Sequence, residues 1–115
     1  MEKMVIERKI QSLTVGERLG GLIDLGIRDA KNQPDAPAMT LVLGMHNDLV
    51  RYVFEKQELD YCEDVTTQGE VVRAYVASEL VRRGEAALAV RTTVFTDRTN
   101  TQGIFVFLSK NIHKL

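Results

Sequence analysis

The chain has 115 residues, 44% hydrophobic and 27% charged, with a formal net charge of −1 at pH 7. That length suits one domain, residues 1–115, with a single core that needs no disulfide staples. The near-neutral balance excludes a protein that coats nucleic acid by bulk electrostatics, though not one with a local basic face.

No apolar run is long enough to span a membrane. The N-terminal MEKMVIERKI lacks the apolar region of a secretory signal. Cys62 is the only cysteine, so no internal disulfide is expected, which fits a reducing compartment and a cytoplasmic location.

In chain order, residues 3–13 alternate weakly and read as a short strand or a lead-in. Thr14-Val15-Gly16-Glu17 matches a capping box. Val15, Leu19, Leu22, Ile23, Gly26, Ile27 and Ala30 then lie at helical spacing, so a helix over 15–30 is one reading. Four glycines in that stretch each cost about 1 kcal/mol in a helix interior. The other reading is a bent strand with Ile23, Leu25 and Ile27 inward and Asp24 and Arg28 outward, and it is the one preferred.

KNQPDAP (31–37) holds both prolines and reads as a polar loop. Ala38 to His46 alternates Met39, Leu41, Leu43 and Met45 against Thr40, Val42, Gly44 and His46. Asn47-Asp48 reads as a turn, and Leu49 to Phe54 as a returning strand with Arg51 outward. The acidic stretch 55–68 reads as a short helix or an irregular connection ending at Gly69.

The chain is most regular from Gly69 to Phe95. Val72, Ala74, Val76, Ser78 and Leu80 share one phase, as do Leu88, Val90, Thr92 and Val94 beyond the turn Arg83-Gly84-Glu85. Alternation of period two, β-branched residues and a glycine turn predict an antiparallel hairpin. TDRTNTQ (96–102) reads as a loop, Gly103 to Leu108 as a further strand and SKNIHKL as a basic tail.

Taken together, KIQSLTVGERLGGLIDLGIRDA, AMTLVLGMHNDLVRYVF and QGEVVRAYVASELVRRGEAALAV resemble the strands of an OB-fold domain over roughly residues 9–95. That resemblance implies a mainly β chain, a five-stranded Greek-key barrel, with an extra C-terminal strand at 103–108 that it does not explain. LDYCEDVTTQGEVVRAYVASELVRRGEAALAVRTTVFTD followed by GIFVFL also resembles the last strands of hotdog-fold acyl-thioester proteins. The hotdog alternative is α+β and accounts for the final strand. It implies a long central helix over 15–30 and acyl-CoA binding, as a thioesterase or a sensor, at a dimer interface. The OB reading is preferred.

On OB strands Arg28, Arg51, Arg73, Tyr75, Arg91 and Phe95 share the outward phase. Guanidinium groups pair with phosphates and aromatic rings on strands stack bases, so this set forms the candidate interface for single-stranded nucleic acid. Each arginine alone is better read as the solvated side of an amphipathic strand, paired with Asp24, Glu70 or Glu79; it is the common phase across four strands that makes them a candidate set. An OB-type module serving only protein contacts is a further alternative.

Catalytic groupings are thin. Cys62, between Tyr61 and Glu63, lacks the basic neighbours that activate a thiol and reads as a buried or idle cysteine instead of a nucleophile. His46 and His113 are too few and too far apart for a metal set. Glu58, Asp60, Glu63 and Asp64 read as a solvated connection, although they could serve a divalent ion or act as a base in a thioesterase. No phosphate loop, dinucleotide fingerprint or serine elbow occurs, so the sequence calls for no cofactor and no enzyme. In GIFVFL, Ile104, Val106 and Leu108 can face the core. Phe105 and Phe107 then point outward, suggesting a covered edge in a homo-oligomer or packing within the monomer.

Overall fold

The computed structural model of the chain describes residues 14–32, 40–42, 47–96, 98–99 and 102–110. Helix α1 spans Val15–Asn32, α2 Asn47–Lys56 and α3 Val65–Arg82; strand β1 spans Thr40–Val42, β2 Leu88–Thr96 and β3 Gln102–Lys110. The strands form one antiparallel sheet in the order β1-β3-β2. β3 follows the other two in sequence yet lies between them.

Local chemistry sets the helix ends. At the start of α1 the Thr14 N–H donates to Glu17 Oε1 at 3.0 Å while the Glu17 N–H donates to Thr14 Oγ1 at 3.1 Å, a reciprocal capping box. Asp64 caps α3, its carboxylate accepting from the Thr67 N–H at 3.0 Å and the Thr67 hydroxyl at 2.8 Å. Beyond α3, Gly84 turns left-handed (φ 76°), with Gly84 N–H bonded to Val81 O at 3.0 Å and Glu85 N–H to Leu80 O at 2.7 Å. That bond pattern is a Schellman stop.

Burial explains the layers. α1 buries Leu19, Ile23, Ile27 and Ala30; α2 buries Leu49, Val50, Val53 and Phe54; α3 buries Val72, Val76 and Leu80. These join Leu88, Ile104, Val106 and Leu108 in one core. Each large side chain fully removed from water there contributes about 1.5–3 kcal/mol. Gly69 brings α3 against β2, where the Thr92 hydroxyl donates to Gly69 O at 3.1 Å. α1 and α3 therefore pack on the Ile104-Val106-Leu108 face of the sheet, and α2 packs against both of them.

This architecture corrects the barrel expected from the sequence. Three helices on an open three-stranded sheet are not a five-stranded closed barrel. The misreading has a definite cause. In α3 the buried positions Gln68, Val72, Val76 and Leu80 recur every four residues, and a spacing of four is also an even spacing. A helical stripe of that kind passes for one phase of a strand. Gly84, read as a hairpin turn, instead ends a helix, because both structures need a residue at positive φ.

The strand expected at Leu49–Phe54 is α2, whose buried Leu49, Val50, Val53 and Phe54 lie at helical spacing, and Asn47-Asp48 begins that helix instead of a turn. The strand preferred around 22–28 is α1; tertiary burial of its stripe outweighs the cost of its glycines. The hotdog alternative is corrected as well. A helix does stand at 15–32, but the strand that alternative needs at 70–80 is α3, and α2 has no place in it. β2 and β3 do keep the phases their alternation suggests, Leu88 and Ile104, Val106 and Leu108 being buried. The lead-in at 3–13, loop residues 33–37, His46 and the tail 111–115 lie outside the described residues.

Candidate functional site

The sheet has a second face. Register places Arg91 opposite Phe107, Thr93 opposite Phe105 and Phe95 opposite Gly103, and directly paired residues in an antiparallel ladder share a face. Because β strands alternate, this set points away from Ile104, Val106 and Leu108, and so away from all three helices.

On that face the rings form a row. Phe95 and Phe105 stack with centroids 4.3 Å apart and planes 26° apart. Phe107 follows at 6.1 Å from Phe105, and the Arg91 guanidinium sits over the Phe107 ring at 5.5 Å. All three rings are half-buried and Arg91 is exposed. Gly103 makes the row possible, since a Cβ on it would overlap the Phe95 ring, which lies across β3 at that point.

β3 is hydrogen-bonded on both sides, to β1 at Phe105–Phe107 and to β2 along Gln102–Lys110. The two outer phenylalanines therefore belong to the middle of a sheet face, and the edge contact expected of residues 103–108 has no free edge to use there.

Charge is divided between the layers. After residue 87 the chain has four of its fifteen lysines and arginines but one of its sixteen acids. The hairpin is thus cationic, with Arg91, Arg98 and Lys110 among its described residues, while the helical part carries the excess of carboxylates.

Of the residues expected to act together, the structure unites Arg91 and Phe95 and disperses the rest. Arg28 is exposed on α1, Arg51 on α2 and Arg73 on α3, all in the helical layer. Arg51 is engaged locally, its guanidinium 3.9 Å from the centre of the Tyr61 ring. Tyr61 in turn meets the Phe54 ring edge-on at 5.4 Å and accepts from Gln68 Nε2 at 3.0 Å. Gln68 also donates to Cys62 O at 2.9 Å, so this group fastens the α2–α3 connection. Tyr75 lies half-buried on α3, and desolvation, helped by the Glu79 carboxylate, pushes its pKa up.

Phe105 and Phe107 were expected to point outward as a contact surface but were not grouped with Arg91 and Phe95, and Gly103 was not expected as a site residue. The signal for them lay in the loop 96–102. A short loop between two alternating strands pairs Phe95 with Gly103 and carries the outward phase of β2 onto Phe105 and Phe107.

Among the described residues no three His, Cys, Asp or Glu side chains converge as metal ligands, and no helix is long and apolar enough to cross a membrane. Comparison with family models, curated proteins and solved structures finds no match for the chain.

Proposed function

We propose that the chain is a non-enzymatic binding protein whose outer sheet face takes single-stranded nucleic acid. The observation that carries this reading is the Phe95-Phe105-Phe107 row flanked by Arg91, on a face that none of the described helices covers. Unpaired bases stack on aromatic side chains for about 1–3 kcal/mol each, whatever their sequence. A flat face cannot enter the stack of a duplex, which favours single strands. Arg91 supplies a cation for the phosphates beside the rings, and Arg98 stands in the turn at the end of the hairpin. A cytoplasmic location, suggested by the lone cysteine, suits this role.

Fluorescence anisotropy with a labelled single-stranded oligonucleotide, at low and moderate salt, tests the reading. Phe105→Ala should weaken binding by about 5- to 150-fold, the loss of one stacked base. Arg51→Ala with Arg73→Ala, both in the helical layer, should leave affinity at its wild-type value. Absence of binding at low salt, or equal affinity of wild type and Phe105→Ala, would sink the proposal.

A further inference from the structure

On the opposite side of the molecule the three helices enclose a cleft of about 420 Å³. Small-molecule sites typically occupy about 300–1,000 Å³. Gly16 and Gly20 of α1 form one wall, Tyr52 and Lys56 of α2 a second, and Tyr75, Ser78 and Arg82 of α3 a third, with Arg83 behind them. Gly16 lets the Tyr52 hydroxyl lie against α1, because a Cβ there would collide with it.

The cleft is rich in hydrogen-bond donors and short of acceptors. Its charged groups are Lys56, Arg82 and Arg83 against Glu79 alone. Glu79 is already engaged, accepting from Arg82 Nε at 2.9 Å, from a second Arg82 nitrogen at 2.7 Å and from Arg83 at 3.4 Å. Asp24 pairs with Arg83 from the α1 side. Donors are nevertheless left over. Arg83 Nε is buried with no partner. Among the described residues the Tyr52, Tyr75 and Ser78 hydroxyls have no hydrogen-bond partner either, and Lys56 meets only the Tyr52 ring, at 5.6 Å.

We propose that this cleft binds a small phosphate monoester on a hydroxyl-bearing skeleton, such as a sugar phosphate. A tetrahedral dianion offers acceptors to an ammonium, a guanidinium and phenol hydroxyls at once. An uncharged or cationic ligand would leave those donors unmet. The volume exceeds that of a bare phosphate, and the polar walls suit a sugar better than an acyl chain. An entering phosphate also gives Arg83 an acceptor that its present partners do not supply.

The test is an NMR titration of the full chain with ribose 5-phosphate, ribose and inorganic phosphate, following arginine Nε–H signals. The Arg83 signal should shift with ribose 5-phosphate and stay in place with ribose. Lys56→Gln, a change at an exposed side chain that leaves the core untouched, should weaken the affinity about tenfold or more. Arg51→Ala, outside the cleft, should bind ribose 5-phosphate like wild type, which separates the site from general charge. An Arg83 signal unmoved by millimolar ribose 5-phosphate, or unchanged affinity in Lys56→Gln, would overturn the site. Inorganic phosphate binding as tightly as ribose 5-phosphate would overturn the sugar.

Discussion

Gly103 shows how much one hydrogen atom in place of a side chain decides. It is the only residue opposite Phe95 in the ladder, and its bare Cα lets that ring lie flat toward Phe105. Gly103→Ala is expected to swing the Phe95 ring away from Phe105 while the strands stay paired. Aromatic near-ultraviolet circular dichroism should change with far-ultraviolet signal retained, and oligonucleotide affinity should fall. An unaltered aromatic spectrum would count against the ring geometry. Asp64 offers a second single-residue test. The Thr67 hydroxyl, then the Thr67 backbone N–H, hold its pKa below the ordinary 3.8. The Thr14 N–H and hydroxyl lower Glu17 from 4.5 in the same way. A carboxylate with a depressed folded pKa contributes stability that is present above its unfolded value and lost as pH falls through its folded value. Asp64→Ala should therefore lower the urea midpoint at pH 7. The gap to wild type should narrow as pH drops below about 4, in the window those lowered pKa values set. A gap that widens on acidification would refute the cap's electrostatic share.

At the level of elements, α2 and α3 stop by the same device with different residues. α3 uses Gly84 at φ 76°, whereas α2 places Glu58 at φ 57° and closes with Glu58 N–H to Glu55 O and Leu59 N–H to Phe54 O, both 3.0 Å. A non-glycine residue in that conformation costs about 1 kcal/mol or more. Glu58→Gly should raise unfolding stability by about 1 kcal/mol, read from urea melts; a loss would mean that the Glu58 side chain makes contacts that outweigh the strain. The elements also show what was legible. The capping box at Thr14–Glu17 marked the start of α1, and the phases of 88–95 and 103–108 marked β2 and β3. The identity of α3 was hidden, since Gln68, Val72, Val76 and Leu80 satisfy a period of two as well as a helix. The β-branched Val71, Val72 and Val76 strengthened the wrong choice. α2 was hidden differently: at ten residues, most of its helical stability comes from packing that local sequence does not display.

For the molecule as a whole, two layers have opposite characters, carboxylate-rich helices and a cationic hairpin with an aromatic outer face. Composition concealed this, because a net charge of −1 averages the two. The site was legible in part for the same reason. Arg91 and Phe95 sit on a true strand, so their common phase meant a common face. Arg28, Arg51, Arg73 and Tyr75 were placed with them by a phase that exists only if their segments are strands.

The place of β3 also bears on how the chain is made. Helices α1 to α3 precede β2 and β3, which cover part of their apolar surface, and β1 waits more than sixty residues for its neighbour, Leu41 pairing with Val106. The β2–β3 hairpin is local in sequence, but it cannot form until residues 102–110 have been made. Only then does β3 offer β1 its edge, and that pairing is a long-range step of the kind that slows folding. A ribosome that stalls before residue 102 leaves the apolar side of the helices without the strand that holds Ile104, Val106 and Leu108 against them.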